Sequence, residues 1–312
     1  MPPSDDAALV LVALSGGPDS LALAAATAFE APRAGLRAGA VIVDHGLQPD
    51  SDGVAARAAE QARALGLDPV LVRLVEVHPG PGVGGLEAAA RDARYTTLDA
   101  VRRDTASVAV LLGHTLDDQA ETVLLGLARG AGASSLHGMA AVSGPIVRPL
   151  LGIRRSTTVA ACADAGLEPW LDPHNADPAY SRVRVRQTVL PVLERELGPG
   201  IADALVRTAE QLREDGDALD RMVEETIEEI VEHAEAGIAI SVGALAANPA
   251  ALRNRIIRHV VLSEFGVSLS RAQTLAAAAL VTDWRGQKGV DLPGIRVVRV
   301  ARSLVFQAAA DL

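Results

Sequence analysis

Six consecutive residues carry the clearest chemistry in the chain: Ser15, Gly16, Gly17, Pro18, Asp19 and Ser20, set between an apolar run and an apolar, helix-forming run. Two glycines let the backbone turn tightly and come close to a ligand. Unpaired amides at the start of the following helix then face an anion, and Ser15 and Ser20 add hydroxyl donors. The set suits a phosphate. It lacks the G-x-x-x-x-G-K-[ST] pattern, so it is not the loop of kinases and GTPases. A plain strand-to-helix turn is the alternative for S-G-G alone. The complete S-G-G-P-D-S in this setting points to phosphate.

Other constellations recur at the ends of apolar runs. Asp44 and His45 close the run 40–44, where Asp44 is either a cap or a ligand group. Glu87, Arg91 and Arg94 stand three and four residues apart, which puts them on one helical face, as an ordinary ion pair or as a contact to a ligand. His114 is followed by Asp117, Asp118 and Glu121. Acidic residues in a first turn stabilise the helix dipole by ~0.3–1 kcal/mol and need no further role. With His114 at a strand tip facing the same crevice, they also read as a metal- or amine-binding pocket. Arginines gather at Arg182, Arg184 and Arg186, at Arg253, Arg255 and Arg258, and at Arg296, Arg299 and Arg302. These are solvated faces or phosphate contacts. The net charge of −10 argues against nucleic acid when taken alone, so any such contact must be local.

The elements that position these groups follow from hydrophobic periodicity. Strands are expected over 7–14, 40–44, 69–75 and 107–113, with helices over 20–29, 52–65, 86–103 and 116–128. A Pro/Gly loop fills 80–85. Short apolar strands alternating with helices predict a doubly wound parallel sheet of the α/β class. Ligands of such sheets bind at the carboxyl ends of the strands, and each group named above falls at such an end. Residues 168–182 read as a long loop and 187–196 as a helix that closes a first domain, 1–195. A long amphipathic helix from about 205 to 230 opens a second, smaller domain of mixed helix and strand, 196–312. In that domain strand 238–242, helices 249–264 and 270–282 and a terminal strand pair are expected.

Length suggests two domains. With 49% hydrophobic and 22% charged residues the chain is of the soluble globular kind, and no apolar stretch approaches the ~20 residues of a membrane span. The start reads as a strand and not as a signal peptide, so a cytoplasmic location is expected. Only 2% of residues are aromatic, which leaves few rings for stacking on bases. Cys162 is the single cysteine, so neither an internal disulfide nor a Cys-based metal centre is expected.

The S-G-G-P-D-S loop resembles the S-G-G-x-D-S signature of the PP-loop ATP pyrophosphatases. Residues 148–191 narrow the resemblance. R-P-L-L, then W-L-D-P-H-N-A-D-P-A-Y-S-R-V-R-V-R, then L-P are similar to the tRNA(Ile)-lysidine synthetase family. His174 departs from the usual Ser, and Val183 from the usual Asn. Enzymes of tRNA thiolation share the loop but need a cysteine pair, which this chain lacks. The resemblance is strong over 9–195 and weaker over 205–312, and it implies a short form with one C-terminal domain. It implies that ATP is cleaved between the α and β phosphates, that a wobble cytidine of a CAU-anticodon isoleucine tRNA is adenylated, and that free lysine then displaces AMP. Ser15 to Ser20, Asp44, His45 and His114 would bind ATP, and Asp19 and Asp118 would hold Mg²⁺. Glu87, Arg91, Arg94, Arg182 and Arg186 would contact substrate. Asp19, Asp117, Asp118 and Glu121 would divide the chemistry, while Arg253, Arg255 and Arg258 would hold tRNA. A homodimer is expected by analogy alone. The rivals are a PP-loop enzyme acting on a small molecule and a non-catalytic nucleotide- or RNA-binding relic.

Overall fold

Strand β1 (Leu9–Ala13) is apolar at every position and buried over four of its five residues, as a strand covered on both faces must be. Alternate side chains serve two cores. Leu9 and Leu11 join Val41, Leu98 and Val110 on one face, while Val12 and Leu14 join Leu21, Ile42, Ala58 and Cys162 on the other. This computed structural model describes residues 7–46, 48, 50–77, 86–130, 132–234 and 237–309, so the Pro/Gly stretch 80–85 lies outside the described residues.

The chain continues through α1 (Pro18–Glu30), β2 (Arg37–Asp44), α2 (Ser51–Ala64), β3 (Val70–Leu74), α3 (Leu86–Asp104), β4 (Ala109–Leu112) and α4 (Leu116–Ala128). Then come α5 (Gly132–Leu136), β5 (Val142–Ser143), β6 (Ile146–Val147), α6 (Arg155–Asp164), α7 (Ser181–Arg184) and α8 (Leu190–Leu197). The strand order is β3-β2-β1-β4-β6-β5, with every neighbouring pair parallel except β5 with β6. The order runs outward from β1 to β3 and then returns to the other side at β4. The crevice between the carboxyl ends of β1 and β4 is therefore the topological switch point, where ligands of open α/β sheets bind.

Contacts divide the chain into Met1–Leu212 and Arg213–Leu312, a division that falls inside the long helix α9 (Ile201–Ile230). The second unit continues with β7 (Val231–Ala234), β8 (Gly237–Ser241), α10 (Val242–Ala247), α11 (Ala250–Phe265), α12 (Arg271–Thr282), β9 (Val290–Leu292), β10 (Ile295–Val300) and β11 (Ser303–Ala308). Its antiparallel sheet, β7-β8-β11-β10-β9, packs Ile240, Val297, Leu304 and Phe306 against Ile256, Ile257 and Leu280 of the helices. No helix among the described residues is long and apolar enough to cross a membrane.

Several elements depart from the periodicity reading, two of them at the site. The stretch 155–164, for which no element was expected, is helix α6. It buries only Thr158 and Cys162, so it shows no apolar stripe. The helix expected over 187–196 begins earlier, as α7, and passes through a π-helical turn at Val185–Val189 before α8.

Candidate active site

The loop after β1 is braced from within. The Ser20 hydroxyl accepts from the Ser15 amide at 3.2 Å, lies 3.1 Å from the Ser15 hydroxyl, and donates to the Gly17 carbonyl at 3.0 Å. Gly16 has φ +82°, a conformation other residues adopt only under strain, and its carbonyl accepts from the Trp170 amide at 2.9 Å. At the end of β4, a Cβ on Gly113 would sit 3.0 Å from the backbone of Asp19 and Ser20, so glycine there lets β4 and α1 meet.

Asp19, Asp118 and Glu121 come together, with cations between them. Arg155 donates from Nε to Asp19 at 3.0 Å and from Nη2 to Asp118 at 2.6 Å, and its Nη1 lies 3.5 Å from Glu121. Arg186 grips Glu121 with two bonds, 2.7 and 3.1 Å, and touches Asp118 at 3.4 Å. Arg186 lies within the π-helical turn, and such turns are frequent at functional sites. Asp118 also accepts from the Thr115 amide and hydroxyl, both at 2.8 Å, which closes a capping box on α4. Burial raises the pKa of its carboxyl, but Arg155 and the Thr115 bonds more than offset this and hold the group below the usual carboxylate range.

Asp117 is turned elsewhere. One oxygen accepts from the Arg155 amide at 2.7 Å and so caps α6, while the other meets Arg154 at 3.3 Å, which in turn pairs with Asp203 on α9. Arg154, Arg155 and Thr158, which bonds Asp19, are site residues that the sequence reading missed. Nothing in the local sequence marked them, because their partners lie 37 to 139 positions away.

A second group, at the ends of β2 and β4, is basic. Arg94 donates to His45 at 3.4 Å. Arg91 lies 5.0 Å over the Tyr95 ring and donates to its hydroxyl, as does the buried Arg148. Arg182 donates to the Thr122 hydroxyl at 3.3 Å. The Glu87 side chain lies outside the described residues. Asp44 accepts from the Gly46 amide at 2.9 Å, the turn-capping alternative. Burial, helped by Arg94, lowers the basicity of His45. His114 is pushed down to about 4 by burial and by Arg148, Arg91 and Arg182, against the pull of Asp118. Its Nδ1 is buried without a partner. Of the departures noted above, His174 receives a 2.9 Å contact from Gln48, which also bonds Asp172, and Val183 is buried.

His114 gives a pH signature. An unfolded histidine titrates near 6.5 and the folded one near 4, so folding sheds a proton between these values. The stability that neutral His114 contributes is complete above pH 6.5 and is lost as pH falls toward 4, by at most about 3 kcal/mol. Denaturant unfolding at pH 7.5 and 5 should show this fall in the wild type, and His114→Leu should flatten it. An unchanged slope in the variant would refute the assignment.

A strand-to-helix S-G-G-P-D-S loop at the switch point of a parallel sheet, facing a carboxylate cluster, defines a PP-loop domain. A PP-loop domain profile matches residues 2–193, and a TilS substrate binding domain profile matches residues 240–305. The chain is 65% identical over 300 residues to the tRNA(Ile)-lysidine synthase of Leifsonia xyli, covering 96% of this chain and 90% of the relative. It is 53% identical to that of Thermobifida fusca, covering 92% and 88%. Among solved structures, the U34-tRNA thiolase NcsA from Methanococcus maripaludis with its [4Fe-4S] cluster shares the fold. The TM-score is 0.53 at 20% identity, over 66% of this chain and 73% of that one. The chain belongs to the tRNA(Ile)-lysidine synthase family. It is an ATP-using ligase that forms a carbon–nitrogen bond.

Proposed function

We propose that this chain joins free lysine to the wobble cytidine of a CAU-anticodon isoleucine tRNA through an adenylated cytidine. The observation that carries this is the placement of Asp19, Asp118 and Glu121 beside the phosphate loop, at the switch point of the sheet. ATP lies with its phosphates on Ser15 to Ser20 and its nucleoside toward Asp44 and His45. The ring carbonyl oxygen of the cytidine attacks the α-phosphorus and pyrophosphate leaves. The ε-amine of lysine then attacks the activated ring carbon and AMP leaves. Activation is needed because a ring carbonyl oxygen is a poor leaving group.

Free lysine has an amine pKa of ~10.4 and arrives protonated. Asp118 and Glu121 bind the ammonium, and a carboxylate takes its proton as attack begins. The basic group formed by Arg91, Arg94 and Arg182 faces the tRNA and nucleotide phosphates. Neutral His114, with a free ring nitrogen, offers a hydrogen bond there without adding charge.

Mg²⁺ is tested by the donor set. Each Asp19 oxygen has one partner, Arg155 or Thr158, and keeps a lone pair. Asp118 already accepts four contacts, a full complement. No group of three His, Cys, Asp or Glu side chains suited to a metal is found among the described residues. This fits an ion that arrives on the nucleotide and takes one carboxylate plus phosphate oxygens. Asp19 would hold it, joined by Asp118 once a guanidinium leaves, and it would neutralise phosphate charge.

ATP and tRNA are cytoplasmic substrates, and we place the chain there. The test is acid-precipitable label from radiolabelled lysine with ATP, Mg²⁺ and an unmodified CAU-anticodon isoleucine tRNA transcript. Label that needs ATP and vanishes when the wobble cytidine becomes uridine supports the reading. ATP cleavage to AMP without label moves the search to another nucleophile.

For tRNA, the second unit presents Arg253, Arg255 and Arg258 on α11. Arg255 is already paired with Asp220, and Arg258 is lowered by burial and by Arg255. Reversing the charge of Arg253 and Arg258 should weaken tRNA binding and reduce its salt slope by about one per lost phosphate contact, with ATP binding unchanged. Equal tRNA affinity would remove this surface from the interface.

A further inference from the structure

Arg155 makes a separate ion pair with each of three carboxylates. Its Nε serves Asp19 of α1, and its other two nitrogens serve Asp118 and Glu121 of α4. Its own backbone is pinned, because its amide donates to Asp117 at 2.7 Å. The side chain therefore swings on a fixed base. The three contacts differ in quality. Those to Asp19 and Asp118 are 3.0 and 2.6 Å, whereas that to Glu121 is 3.5 Å. Glu121 is fully buried and already doubly bonded to Arg186, so it does not depend on Arg155.

The charge count is informative. Three carboxylates (Asp19, Asp118, Glu121) against two guanidiniums (Arg155, Arg186) leave one negative charge. Bringing a second monocation beside Arg155 would crowd two positive groups onto the same oxygens, and Asp118 has no lone pair left for it. The cluster opens on a cleft of about 560 Å³ whose charged lining is Asp117, Glu121, Glu194, Arg154, Arg155 and Arg186, so a cation in the cleft has Arg155 beside it. Arg155 keeps 22% of its side chain exposed.

We propose that Arg155 is a positioning residue that holds the place of the substrate cation: it occupies Asp118 and Glu121 before loading, yields them to the incoming ammonium, and keeps Asp19 oriented throughout. The inference rests on the proposed reading that Asp118 and Glu121 receive the lysine amine. Before loading, the guanidinium shields these carboxylates from solvent cations. After loading, the Nε bond to Asp19 remains, and the position that Arg155 vacated on Asp118 is taken by the ammonium. No bond is made or broken by Arg155 itself.

This role predicts opposite changes in binding and turnover. Without Arg155 the cluster carries one more negative charge and no competitor, so lysine should bind more tightly. Asp19 loses one of its two partners, so turnover should drop. In Arg155→Ala we expect lysine KM to fall about fivefold and kcat to fall about a hundredfold. Free guanidinium at millimolar concentration should restore part of kcat and raise lysine KM again.

Thermal unfolding identifies which variants are folded. Arg155→Gln, which keeps a donor to Asp19, is the second variant, with the same signs expected and a smaller loss of kcat. In a folded variant, a lysine KM that rises or stays level, or a kcat that guanidinium does not restore, overturns the placeholder role. Wild-type protein assayed in parallel separates the two claims. Absent lysine incorporation in the wild type defeats the proposed reaction, whereas normal incorporation with the wrong split in the variants defeats only this inference.

Discussion

Glu121→Ala should be among the most damaging single substitutions in the first unit, in stability and in activity together. The Glu121 side chain is fully buried, and both its oxygens are bonded to Arg186, with Arg155 alongside. Removing it leaves two guanidiniums without their central counter-ion. Breaking a buried pair from one side costs about 3–5 kcal/mol, because the surviving charge stays desolvated. The lower end applies here, since Arg186 and Arg155 are 30% and 22% exposed and can turn partly toward water. A loss of about 3 kcal/mol is expected from denaturant unfolding, followed by Trp170 fluorescence in a Trp284→Phe background so that only the first unit reports. Lysine incorporation should drop to background. Glu121→Gln keeps one acceptor for Arg186 and should recover much of the stability but little of the activity. An alanine variant that unfolds within 1 kcal/mol of the wild type would show that the arginines find other partners and that Glu121 is not the anchor of the cluster.

How far this site was readable in the sequence depends on the range over which each residue acts. The loop after β1 and the start of α4 were legible, because their chemistry lies within six to ten consecutive residues between apolar runs. Burial then placed them at the ends of adjacent strands, β1 and β4. Arg155 was not legible. It reaches Asp19 across 136 positions and Asp118 across 37, and nothing in periodicity encodes such pairing. The helix that carries it was missed for a related reason. Thr158 and Cys162 are its only buried residues, and a threonine facing a carboxylate reads as surface. Asp117 shows the converse. Its motif put it with the chemistry, whereas its side chain caps α6 and meets Arg154. One residue of sequence spacing separates it from Asp118, and about 100° of helix rotation decides which of them faces Asp19.

Asp19→Asn should give the opposite profile to Glu121→Ala, with the fold kept and the chemistry lost. Asparagine retains an oxygen that accepts from Thr158 or Arg155, and Arg155 keeps Asp118 and Glu121, so no buried cation is stranded. The midpoint of thermal unfolding should move by no more than a few degrees. The charge, however, is removed beside the phosphate loop, where a neutral amide does not attract a hard cation as a carboxylate does. Losing one preorganised electrostatic group at a reacting centre costs about 10²–10³ in rate, roughly 3–4 kcal/mol of barrier. The step affected should be the first. AMP and pyrophosphate formation with tRNA present should fall by that factor even at saturating lysine, and ATP affinity should change much less, because the loop amides and hydroxyls are untouched. A variant that still cleaves ATP within threefold of the wild type, but fails to incorporate lysine, would move Asp19 from adenylation to the amine step. The carboxylate cluster would then have to be reread as a single lysine pocket.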